Sequence, residues 1–163
     1  MFDEAQKYIS ENRASVADLL ADFAQTDVLL FYCPQPEIRK IQEQKWQPIL
    51  DLCNQSLNTV FKATDALEVL PQNKNSAEVF KKMLKTLSLK QLIVLYLAAT
   101  NLKSPLLGYL LLGQKISATQ AFDLAYLEEL YQNERWGEDA EAVEKRRKVF
   151  EVLQQIEDYI KND

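Results

Sequence analysis

Carboxylates are the reactive side chains this chain holds in number, and they crowd one stretch: Glu128-Glu129-Leu130-Tyr131-Gln132-Asn133-Glu134-Arg135-Trp136-Gly137-Glu138-Asp139-Ala140-Glu141. Two carboxyl groups do acid–base work only when they converge. Glu128 and Glu129 are neighbours in sequence, so on a helix they point about 100° apart and form no dyad. The chain has no histidine. Ser-His-Asp and Cys-His catalysis are therefore excluded, as are most zinc and iron sites. Cys33 and Cys53, the two cysteines, make neither a metal site nor a disulfide framework. No GxGxxG and no Walker loop is present. These features read as a protein without catalytic residues, cofactor or metal.

Binding is what remains. On a helical wheel with Ala121 at zero, Ala125, Ala118, Leu124 and Tyr131 define an apolar arc. Glu128 falls in its middle, at about 340°, with Gln132 at about 20° and Trp136 at about 60°. A carboxylate on an apolar face costs several kcal/mol unless it finds a partner. Either Glu128 bonds Gln132, a backbone N–H or a lysine and orders the core, or this end of the helix lies in a groove that receives another chain. Arg146, inside the Ala142–Val149–Leu153 stripe of the last helix, is a candidate partner for Glu128 or for an acidic patch on another protein. Its neighbours Lys145, Arg147 and Lys148 read as a solvated face balanced by Glu141, Glu144 and Glu151. Trp46 and Trp136 read as core anchors, with an interface role open to both because tryptophan is a common hot-spot residue.

The elements that must carry these residues are helical. Apolar residues make up 47% of 163, enough for a core, and three glycines with five prolines argue against a fold of many tight turns. A net charge of −5 disfavours general nucleic-acid binding. The apolar runs Leu92–Ala99 and Pro105–Leu112 fall far short of the roughly 20 residues of a membrane span. The start of the chain, Met1-Phe2-Asp3-Glu4, resembles neither a secretory signal nor a transit peptide. Helical spacing predicts Phe2 to Asn12, Ala14 to Gln25 with Val16, Leu19, Leu20 and Phe23 on one face, Glu37 to Leu52 with a break or kink at Pro48, and Ser56 to Leu67 with Leu57, Val60 and Phe61 together. Asp27 to Tyr32 is helical or extended, stopped by Cys33-Pro34-Gln35-Pro36, and Val69 to Lys74 is a loop containing Pro71. Asn75 with Glu78 predicts a capping box before Val79–Leu87, Ser88 with Gln91 another before Leu89–Thr100, and Ser117 with Gln120 a third. Ser104 caps a helix with Pro105 in its first turn, closed by Gly113. Gly137 interrupts before a last helix from Glu138 to Ile160. The expectation is one all-α domain over residues 1–163, with seven to nine helices and Leu89–Thr100 buried at its centre.

The order Leu127-Glu128-Glu129, Tyr131-Gln132, Trp136-Gly137, then Asp139, Glu141 and Ala142, resembles the signature of the ATP synthase assembly chaperones that hold the α subunit of the catalytic head. Thr26-Asp27-Val28-Leu29 with Tyr32, Pro36 followed by Gln44, Trp46, Pro48, Ile49 and Leu50, and Lys103-Ser104 resemble further segments of that family, from about Arg13 to about Val152. Its members occur in mitochondria and α-proteobacteria and carry an N-terminal β-rich domain, which this chain, helical from Phe2, is expected to lack. A His-Asp pair common after the Trp-Gly segment is absent too. The resemblance implies a non-enzymatic chaperone, monomeric, of the bacterial cytoplasm or the mitochondrial matrix, with no nucleic-acid partner and no membrane insertion. Its partner would be the ATP synthase α subunit, met by Glu128, Gln132, Trp136, Gly137, Asp139 and Glu141, with Arg146 a further candidate. The alternative is a helical adaptor or regulatory domain with an unrelated partner.

Overall fold

The computed structural model describes residues 1–65 and 73–162. Helices α1 (Phe2–Glu11) and α2 (Arg13–Ala24) are followed by a 3-10 turn at Val28–Leu30 and a two-residue strand β1 (Phe31–Tyr32). Then come α3 (Pro36–Leu57), strand β2 (Thr64–Asp65) and α4 (Lys74–Thr86). The chain continues through α5 (Leu89–Leu102), α6 (Pro105–Leu112), α7 (Ala118–Ala125), α8 (Leu127–Trp136) and α9 (Ala140–Lys161). The fold is all-α, with nine α-helices among the described residues. Among them no helix is long and apolar enough to cross a membrane.

Local chemistry explains most boundaries. Ser88 accepts from the Gln91 amide while the Gln91 side chain accepts from the Ser88 amide, and Ser117 with Gln120 repeats the arrangement. Ser104 accepts from the Leu107 amide with Pro105 in the first turn of α6. The cap of α4 is not the expected Asn75 but Asn73, whose side chain accepts from the Asn75 and Ser76 amides. Pro48 does not break α3. It is exposed, as is Gln44 one turn earlier, so water can serve the carbonyl that loses its partner.

The helix expected from Ser56 to Leu67 does not form. Asn58 turns left-handed at φ 63° and ends α3, a conformation asparagine tolerates better than most residues. The chain beyond it is extended. Asn54 holds it by accepting from the Phe61 amide at 2.9 Å and the Thr59 hydroxyl at 2.8 Å, and Ser76 accepts from the Val60 amide at 2.9 Å. Burial alternates as an extended chain requires: Val60 is 52% exposed and Phe61 2%. This path brings β2 beside β1 in parallel, Phe31 opposite Thr64 and Tyr32 opposite Asp65. The ends of the predicted helix and loop, including Leu67, Val69 and Pro71, lie outside the described residues.

Helix α5 is buried nearly all round and packs against α1, α2, α6, α7 and α9, as its sequence predicts. Its pairing with α6 is close. A Cβ on Gly108 would stand 3.3 Å from the Ala99 amide nitrogen and 3.4 Å from Ala98 Cβ. Gly108→Ala gains helix propensity but drives a methyl into an unyielding backbone, so a net loss of about 1 kcal/mol is expected. Urea unfolding of the variant checks it; an unchanged or higher midpoint shows that α5 and α6 can separate cheaply. On α2 the buried face is Val16, Ala17, Leu20, Ala21 and Ala24, whereas Leu19, expected on it, is 51% exposed.

Candidate functional site

Asp27 anchors one wall of the candidate site. It is fully buried, and its carboxyl accepts from the Leu29 amide at 2.9 Å, the Leu106 amide at 2.8 Å and the Ser104 hydroxyl at 2.7 and 2.8 Å. The Val28 amide donates to the Lys103 carbonyl at 3.2 Å. Thr26-Asp27 and Lys103-Ser104, two separate segments of the sequence, are thus clasped together. Burial pushes the Asp27 carboxyl up to about 7, against the pull of the Leu106 and Leu29 amides and Ser104. Cys53 lies close by, its thiol pushed up by burial first and by Asp27 second.

The clasp brings Phe23, Thr26, Val28 and Lys103 to a groove of about 550 Å³ that Phe31, Tyr32, Cys33, Pro34, Trp46 and Glu128 also line. Trp46 is 2% exposed, donates its indole N–H to the Leu124 carbonyl at 2.8 Å and stacks on Tyr32 with ring centroids 6.5 Å apart. The Gln42 side-chain oxygen takes the Cys33 amide at 2.7 Å. Glu128 is half-buried and lies beside the Cys33 thiol, which burial first, against the pull of the Gln35 backbone, and then this carboxylate hold above its ordinary range. The walls are mostly apolar, with one carboxylate and one ammonium at the rim. Such a surface accepts a protein segment by shape and burial, with a charge to fix its position.

Glu128 does not lie on the stripe that the helical wheel drew. The wheel assumed one helix from Ser117 onward. The chain instead breaks at Tyr126, with φ −104° and ψ 17°, and restarts as α8. Tyr126 is buried, donates its hydroxyl to the Asn101 carbonyl at 3.0 Å and stacks on Phe122 at 5.1 Å. These tertiary contacts hold the break without glycine or proline. The phase is lost there, so Leu127 is the buried residue of α8. Gln132 is half-buried, and Trp136, expected in the core, is 82% exposed.

Arg146 is buried, but its partner is Glu129, not Glu128. Nη1 reaches Glu129 Oε1 at 2.7 Å, and the Asn133 side-chain oxygen accepts from both terminal guanidinium nitrogens at 2.9 and 2.5 Å. This ties α9 to α8. On the other flank Glu37, at the start of α3, accepts from the Tyr131 hydroxyl at 2.9 Å and pairs with Arg135; these bonds, Tyr131 first, hold its carboxyl below the usual range. Gly137 follows at φ 91°, a region nearly reserved for glycine. Asp139 caps α9 by accepting from the Glu141 amide at 3.1 Å, and Glu141 is exposed in the first turn. The sequence residues therefore fall in two places. Glu128 faces the groove, while Trp136, Gly137, Asp139 and Glu141 form the exposed joint between α8 and α9, and Arg146 braces that joint from inside. Sequence reasoning overlooked Asp27 and Ser104 as site-forming residues, although an aspartate inside an apolar run was the available signal.

No family model matches the chain. Over 150 residues it is 25% identical to Protein atp12, mitochondrial, of Schizosaccharomyces pombe, covering 86% of this chain and 52% of that protein. The chain thus spans about half the length of that curated relative. The crystal structure of Atp12 from Paracoccus denitrificans superposes with a TM-score of 0.90 at 25% identity, over 96% of this chain and 67% of that one. That of Atu1473, a candidate chaperone from Agrobacterium tumefaciens, gives 0.85 at 25% identity, over 96% and 59%. Sequence match and superposition agree over most of the chain, and the protein is a homologue of Atp12.

Proposed function

We propose that this Atp12 homologue is an assembly chaperone of the ATP synthase that holds the unassembled α subunit of the catalytic head. The observation that carries the reading is the likeness to Atp12, which extends over 96% of the chain at a TM-score of 0.90. An orphan subunit exposes a large apolar surface that its true neighbour later covers. The chaperone shields that surface with its groove and with the joint between α8 and α9, then gives way to β. Moderate affinity suffices, and exchange needs no nucleotide chemistry. In this reading Glu128 fixes the register of the client in the groove, Gln132 lies behind it on α8, and Trp136, Gly137, Asp139 and Glu141 supply a second contact that Arg146 braces. The compartment that goes with it is the bacterial cytoplasm or the mitochondrial matrix.

The test is co-purification with separately expressed α and β subunits. Selective retention of α, lost when β is added in excess, is the expected result; retention of neither overturns the reading and leaves a helical adaptor with another partner. Glu128→Gln keeps the size of the side chain and removes its charge. It is expected to weaken α retention about tenfold, the scale of one charge-assisted contact, with thermal stability nearly unchanged. If retention and stability both stay intact, Glu128 has no such role.

A further inference from the structure

We infer that the joint between α8 and α9 is a receptor for a cationic segment of the client, with an arginine or lysine side chain laid on the Trp136 ring. The identity of the client rests on the function proposed above; the chemistry of the receptor does not.

Exposure is the first ground. Trp136 is 82% exposed, the largest value among the exposed large hydrophobic residues described, and Val143, in the first turn of α9, is 36% exposed. A tryptophan left in water at the tip of a helix invites a partner when its support is rigid, and here the support is rigid. Glu37 and Tyr131 hold Arg135, the residue before it. Arg146 ties the same helix through Glu129 and Asn133. Gly137 then turns the chain at φ 91° with nothing within 4 Å of where a Cβ would be. The ring is presented by its frame, not left over by a fraying end.

Charge is the second ground, and it selects the occupant. Glu134, Glu138, Asp139 and Glu141 surround Trp136 in sequence and are all exposed. No lysine or arginine occurs from Trp136 to Glu144. The nearby Arg135 is taken by Glu37, and Arg147 by Glu144 and Glu151. Among the described residues no salt bridge engages Glu134, Glu138 or Glu141. Lys145 and Lys148 stand farther along α9. The four carboxylates within five residues of Trp136 thus face one arginine in that span, which Glu37 engages. An aromatic face in a surround of net negative charge attracts a guanidinium or ammonium group by cation–π and Coulomb terms together. It repels an acidic segment and offers too little apolar area for a neutral one.

The two tryptophans make the test direct, because Trp46 is buried and Trp136 is not. The emission of the wild type minus that of Trp136→Ala reports Trp136. A tetra-arginine amide is expected to change it saturably, with the effect falling steeply between about 50 mM and about 500 mM salt, and a tetra-glutamate control is expected to leave it unchanged. Equal responses to both peptides, or none, overturn the proposal. In α-subunit co-purification, Trp136→Ala and the double variant Glu134→Gln with Glu138→Gln are each expected to lose about tenfold or more in retention, with thermal midpoints unmoved. Retention by Trp136→Ala equal to the wild type overturns the receptor and leaves the chaperone reading standing. A wild type that fails to hold α while Trp136 still titrates with tetra-arginine overturns the chaperone reading and supports the receptor.

Discussion

Raising the pH from about 4 to above 7 is expected to remove up to about 4 kcal/mol of folding stability, and Asp27 is the cause. Its carboxyl lies near 7 in the folded protein and near 4 in an unfolded chain. A group whose folded value is raised binds its proton more tightly in the native state. Its contribution is therefore complete at about pH 4 and disappears as the pH climbs through about 7, at roughly 1.4 kcal/mol per unit. Among the described residues no other carboxylate is raised into this window. The chain has no histidine, and the exposed carboxylates whose values are lowered, Asp18, Glu37 and Glu144, act below it and in the opposite sense. Urea unfolding of the wild type and of Asp27→Asn across this range measures the effect. The variant is expected to be less stable throughout, since an amide group cannot accept from all three donors, yet flat with pH. A flat wild-type profile means that the two amides and the Ser104 hydroxyl keep the carboxylate ionised despite its burial.

Trp46→Ala is expected to cost about 4 kcal/mol, the usual penalty for emptying a tryptophan site in a core. Trp46 is 2% exposed, touches Tyr32 and closes the Leu124 carbonyl, which in the variant loses its donor. The residue also lines the groove, so the cavity opens directly into it. Trp46→Phe restores most of the volume and not the N–H, and should recover more than half of the loss. Thermal unfolding of the pair separates packing from the hydrogen bond. A loss below about 1 kcal/mol for alanine would mean that Tyr32 and the loop around Pro34 collapse into the space.

The parts of the fold that could be read from the sequence are those with a local cause. Ser88 with Gln91, Ser117 with Gln120, and Ser104 before Pro105 mark helix starts because donor and acceptor lie within four residues of each other. The burial of α5 follows from its composition alone. The errors come from long-range causes. Tyr126 breaks a helix by reaching Asn101, and nothing within its own stretch announces the break. One unseen break shifted the phase of every residue after it, so Trp136 was expected inside and Arg146 was matched to Glu128 in place of Glu129. The Asp27–Ser104 clasp spans 77 residues, and the extended path after Asn58 depends on Ser76 from another helix. Glu128 was singled out by a wheel that does not hold, and the family resemblance marked the same residue independently.

The pairing of α5 with α6 bears on how the molecule breathes. Both helices are capped at their starts, only Lys103 and Ser104 join them, and their contacts are local in sequence. A unit of this kind forms early and opens last, so its amides should be the slowest to exchange with solvent. The joint between α8 and α9 lies outside this unit and is held by its own frame, Glu37 with Arg135 on one side and Arg146 with Glu129 on the other. On the proposed function, capture and release of a client at that joint would proceed over a centre that stays folded, so the cycle would repeat without refolding the chaperone.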